Sequence, residues 1–123
     1  MDNRLWVYSA AVAVQALLSL GQILLKIVAG RLATSGWAVL TDMSQFLHVA
    51  VPGVAVGLLY AVVASLWLYV LQNLPINRAF LFVSLTFVFV PLMANLLLGE
   101  GISLGTIIGG LLIIAGIAVG VLA

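Results

Sequence analysis

The sequence has no cysteine, one histidine, and only seven charged residues in 123 positions, three acidic and four basic. Without a thiol, and with His48 as the lone imidazole, no set of nitrogen and sulfur ligands at zinc spacing can be assembled, and no metal or other cofactor is implied. The missing cysteines do not assign a redox compartment, since reduced and oxidised membrane proteins can both lack them. A formal net charge of +1 leaves neither a basic tail for nucleic acid nor an acidic run for a cationic partner. No nucleophile stands beside a base, no carboxylates are paired, and no glycine loop would cradle a phosphate, so an enzyme is the least supported reading.

What is present is apolar. Hydrophobic residues make up 66% of the chain and charged ones 6%, a composition that no soluble core with a polar exterior would have. A membrane span needs about 20 apolar residues. The uncharged runs therefore predict an all-α, polytopic membrane protein, a single domain of four spans at about 5–29, 51–71, 79–98 and 104–122. The opening Met-Asp-Asn-Arg-Leu-Trp leads into a run of full spanning length with no small-residue cleavage site, so a retained span is expected. Trp6 and Tyr8 stand where amphipathic rings prefer the headgroup level.

Polar residues in the first span fall at Gln15, Ser19, Gln22 and Lys26, steps of four, three and four that stack them on one helical face. A charged side chain near the bilayer centre costs roughly 2.5–3.5 kcal/mol on insertion scales, so such a stripe must meet a partner, a wet cavity or a ligand. At about 1.5 Å per residue, Lys26 lies about 31 Å from Leu5, at the far edge of a hydrocarbon layer of about 30 Å, with Gln22 one turn deeper. That depth suits a lipid headgroup better than a solute held at the midplane. The competing reading is that Lys26 snorkels and Gln22 bonds a neighbouring helix.

Between the first and second spans, Trp37, Leu40, Met43 and Leu47 share one helical face opposite Thr41, Ser44, Gln45 and His48, which predicts an interfacial amphipathic helix over Gly36–Ala50 with Asp42 towards water. Pro52 fits the first turn of the second span, and Gly53 and Gly57 permit close approach of another helix. Tyr60 and Trp67, seven apart, share a face and are candidates to line a cavity, against the alternative of an aromatic belt. Ser84, Thr86, Pro91 and Asn95 interrupt the third span, Pro91 with an expected kink, and Ser103 predicts an N-cap for the fourth. Gly105, Gly109, Gly116 and Gly120 form a packing seam along that last span, open either to neighbours in the chain or to a second subunit. Arg4 and Arg78 fall on one side of the membrane and Lys26 and Arg31 on the other, so positive charge does not choose an orientation. An antiparallel pair would create by association the inverted repeat that larger transporters carry within one chain.

Ser19-Leu-Gly-Gln22-x-x-x-Lys26, Ser65-Leu-Trp67, Leu71-Gln-Asn-Leu-Pro75, Ser84-Leu-Thr-Phe-Val, Glu100-x-x-Ser103 and Gly109-Gly-Leu-Leu-Ile-Ile-Ala-Gly116 occur in that order. Together they resemble the small multidrug resistance branch of the drug/metabolite transporter superfamily. The likeness is greatest to flippase subunits of the ArnE/ArnF type, which act on aminoarabinose-phosphoundecaprenol at the bacterial inner membrane. It covers nearly the whole chain except 34–48. Drug exporters of that branch carry a glutamate in the first span, and alignment on Gly21 and Lys26 places that position at Leu18, which can neither titrate nor pair with a cation. The resemblance implies a subunit of a translocase for a polyprenyl-phosphate sugar in the inner membrane, working as a homodimer or with a related four-helix subunit. Lys26 would hold the phosphate, and Gln22 and Glu100 would contact phosphate or sugar. Arg78 joins this set only by its charge and its place at a span end, Ser19 by the shared stripe, and Tyr60 and Trp67 as cavity walls. The alternatives are a small-solute or cation exporter, or a packing subunit of a larger membrane complex.

Overall fold

The computed structural model describes residues 3–122, and within them every regular element is an α-helix. Helix α1 covers Asn3–Ser35, α2 Ala38–Thr41, α3 Met43–Asn73, α4 Ile76–Val83, α5 Thr86–Leu98 and α6 Leu104–Leu122. Four stretches, α1, α3, α4 with α5, and α6, are long and apolar enough to cross a membrane.

α1 runs past its expected end at residue 29, because nothing between Ala29 and Ser35 breaks it. It stops at Gly36, whose φ of 55° is open to glycine and strained for other residues.

No single helix forms over Gly36–Ala50. The extended backbone of Asp42 closes the four-residue α2 through its N–H, and its carboxylate accepts from the Ser44 N–H at 3.0 Å to cap α3. The amphipathic face expected there is divided, and its residues 43–50 become the first two turns of the second span. Pro52 is accordingly inside α3 and not in a first turn. A proline leaves the carbonyl four residues earlier without its helical donor. That carbonyl belongs to His48, and it accepts from the Arg31 guanidinium of α1 at 3.1 Å. Arg31 thereby gives a partner to the main-chain group that Pro52 leaves without its helical donor.

The third span is interrupted at Ser84 and Leu85, beside two of the polar positions expected to break it. Ser84 and Leu85 keep helical dihedrals but tighten to three-residue hydrogen bonds, Ser84 N–H to Leu81 O and Leu85 N–H to Phe82 O, while the Thr86 hydroxyl donates to Val83 O. The Pro91 ring meets the carbonyl of Phe87, one turn back, so its disturbance falls next to these competing hydroxyls.

α5 ends at Gly99, whose φ of 70° turns the chain left-handed, and Asn95 Nδ2 then holds the Glu100 carbonyl at 2.7 Å. Ser103 caps α6 as expected, accepting from the Thr106 N–H at 3.1 Å. A Cβ at Gly99 would touch nothing within 4 Å, so Gly99→Ala carries only the conformational penalty of the left-handed region, about 1–2 kcal/mol. Thermal unfolding in detergent is expected to show a lowered midpoint for it, and an unchanged midpoint would refute the left-handed cap.

The packed core lies between α1 and α3. Val7, Ala11, Val14 and Ile23 supply the buried apolar face of α1 against Val56, Val63 and Val70, which recur every seven residues on α3. At the Val7–Val70 end the same cluster takes in Leu74, Ala79 and Phe82, and the Tyr8 ring stacks on Phe82 of α4 at 5.6 Å. α6 buries no residue; its Val121 packs against the core, and Gly120 and Gly110 lie close to Leu81 and Val88. The four-glycine seam is therefore split. A Cβ at Gly120 would lie 2.5 Å from Leu81 of the same chain, one at Gly105 would meet only Ser103, and none at Gly109 or Gly116 would meet anything within 4 Å.

Candidate functional site

Lys26 lies nine residues before the end of α1, and its ammonium is paired with the Glu100 carboxylate. Glu100 is brought there by the left-handed turn at Gly99 and by Asn95, so the loop after α5 is folded towards α1. Both side chains stay open, 60% exposed for Lys26 and 44% for Glu100. Such a pair contributes no more than about 1 kcal/mol in water, so another anion can replace the carboxylate.

One turn deeper, Gln22 donates from Nε2 to the Tyr60 hydroxyl at 3.1 Å. Gly21 packs beside it, where a Cβ would stand in van der Waals contact, 3.4 Å from the Tyr60 ring. Gln22 and Leu18 line a groove between α1 and α5 whose other wall is Thr86, Phe87, Val90 and Pro91. The arrangement offers a cation, amide and phenol groups at the mouth of an apolar groove. It can hold an anionic oxygen at the membrane surface and an aliphatic chain below it.

The remaining residues singled out from sequence separate into three groups. Ser19 is 0% exposed and its hydroxyl donates to the Gln15 carbonyl at 2.7 Å, so its one donor is spent on the backbone of its own helix. The stripe keeps one azimuth, but its deeper half is buried and its outer half is open. Arg78 stands at the start of α4, 22 residues and about 33 Å of helix from Glu100, at the opposite end of the bundle. It cannot share a headgroup with Lys26. Trp67 packs edge-on to Phe80 at 6.4 Å and lines, with Tyr60, a second groove lower on α1. Two participants were missed. Asn95 shapes the Glu100 loop, and its signal was an amide four residues before a helix-ending glycine. Gln15, in the polar stripe but outside the chosen site, is 1% exposed with its Oε1 unpartnered.

Among the described residues no carboxylate falls inside a span, since Asp42 joins α2 to α3 and Glu100 joins α5 to α6. Over residues 5–122 the chain matches the model of the EamA-like transporter family. It belongs to that family. Similar proteins include a probable 4-amino-4-deoxy-L-arabinose-phosphoundecaprenol flippase subunit ArnE of Erwinia tasmaniensis, 42% identical over 62 residues, or 50% of this chain and 57% of that protein. The protein of the same description from Enterobacter sp. (strain 638) is 46% identical over 52 residues, 42% of this chain and 49% of the relative. The chain thus spans about half the length of the curated relatives it matches. No solved structure matches. This member of the EamA-like transporter family is a multi-pass protein of the bacterial inner membrane, with four helices long and apolar enough to cross it.

Proposed function

We propose that the chain is one subunit of a flippase for a polyprenyl-phosphate-linked sugar. The observation that carries this reading is the union of Lys26 and Gln22 on one face of α1, above a groove with no acid in it. Proton-coupled export of a cation needs a titratable carboxylate within the membrane, and the resemblance to drug exporters, aligned on Gly21 and Lys26, puts Leu18 where theirs would stand. A lipid phosphate needs the opposite, a cation and neutral donors near the surface. Glu100 acts as the resident anion, exchanged for phosphate when substrate arrives. The polyprenyl tail stays against Phe87, Val90 and Pro91 or in lipid. Both relatives carry names of the same substrate class, a sugar on phosphoundecaprenol.

A subunit with so little buried in α6 is incomplete alone. A second four-helix subunit, identical or related, covers the open face at Gly109 and Gly116. The test reconstitutes the assembly, with whatever partner co-purifies, into vesicles. It compares movement of a polyprenyl-phosphate glycoside with uptake of a cationic dye under a pH gradient. Glycoside movement without dye uptake is the expected result. Dye uptake driven by the gradient, with no glycoside movement, transfers the protein to the exporters.

A further inference from the structure

Gln15 is a fully buried carboxamide whose Oε1 has no hydrogen-bond partner, an expensive condition for a protein interior. Its neighbour Ser19 does not relieve it, because that hydroxyl donates to the Gln15 main-chain carbonyl. Gln15 borders a groove of about 420 Å³ together with Leu18, Tyr60, Trp67, Phe80 and Val83, and its Oε1 is screened from that space until the groove widens. That volume is within the range of small-molecule sites. We infer that this groove is a second station for the substrate, in which Gln15 accepts a hydrogen bond from a hydroxyl of the glycosyl headgroup in mid-membrane.

The inference rests on the flippase reading and adds to it a place and a ligand chemistry. Gln15 lies 11 residues below Lys26, about 16 Å along the helix and close to half the hydrocarbon thickness. One sugar cannot reach Gln15 while its phosphate is held at Lys26, so the two positions are occupied in succession. No charged side chain lines the lower groove, which disfavours a phosphate or a free cation as the group held there. An orphaned carbonyl oxygen asks for a donor, and the rings of Tyr60, Trp67 and Phe80 offer flat apolar faces to the C–H side of a pyranose. The two grooves share Leu18, and Tyr60 joins them, bonding Gln22 above while its ring walls the space below.

The experiment replaces the amide by an apolar group of similar size, Gln15→Leu, in the reconstituted assembly. Its probes are a polyprenyl-phosphate glycoside and the same polyprenyl phosphate without sugar. Removing an unsatisfied buried polar group is expected to leave the melting temperature equal or higher. Binding of the bare polyprenyl phosphate is expected to stay at the parent level, while glycoside translocation falls about ten-fold for one lost hydrogen bond in the crossing. Translocation within two-fold of the parent overturns the inference, since water then suffices for Gln15. A lowered melting temperature also overturns it and assigns the amide to packing. A parent assembly that binds and moves neither probe rejects the flippase reading itself, and this inference with it.

Discussion

Lys26→Ala is expected to lower the affinity of the assembly for a polyprenyl phosphate by about ten- to a hundred-fold, the worth of roughly 1.5–3 kcal/mol in a charge-assisted hydrogen bond. Lys26→Arg keeps the charge and is expected to retain most of the binding. Glu100→Gln has the opposite sign. It removes the carboxylate that occupies the ammonium in the resting structure, and since an exposed pair is worth no more than about 1 kcal/mol, the gain in affinity should not exceed about five-fold. Equilibrium binding of a labelled lipid to the purified variants, at two salt concentrations, measures all three. Undiminished binding by a folded Lys26→Ala protein takes the phosphate away from this residue. Arg78→Ala, at the other end of the bundle, serves as the control and should leave headgroup affinity unchanged.

Gly116→Leu and Gly120→Leu, four residues apart on α6, are expected to fail in different ways. A side chain at Gly116 meets open space within its own chain, so the folded subunit should accept it and lose its partner instead. A side chain at Gly120 runs into Leu81 of α4, and overpacking of that kind typically costs about 1–3 kcal/mol. Crosslinking or size-exclusion in detergent reads the first effect and thermal unfolding the second. A Gly116→Leu assembly that remains intact would show that this face meets lipid alone.

Much of this architecture was legible before any coordinates, because insertion into a bilayer is governed by local composition. The four apolar runs, the Ser103 cap and the want of an acid within the spans each follow from residues near one another in sequence. The expected ends were less secure. α1 outran its predicted limit because a single glycine, Gly30, costs a helix only about 1 kcal/mol and no other breaker stands before Gly36. The interfacial helix failed because Asp42 is a better cap than a helix-interior residue, and it restarts the chain at Met43. The third span tightened at Ser84 and Leu85, where hydroxyls and the upstream reach of Pro91 act together.

The candidate site divides along the same line. Sequence alone determined that Lys26 and Gln22 lie on one helical face near the membrane edge, since that depends only on helical periodicity and the length of one span. Tertiary structure decided that Glu100 meets Lys26, that Tyr60 holds Gln22 across 38 residues, and that Arg31 tends the carbonyl released by Pro52. It also decided that Ser19 and Gln15 are shut in while their neighbours on the same stripe are open. Periodicity fixes the direction in which a side chain leaves its own helix, whereas burial and pairing depend on which other helix stands there, and that is settled only when the whole bundle packs.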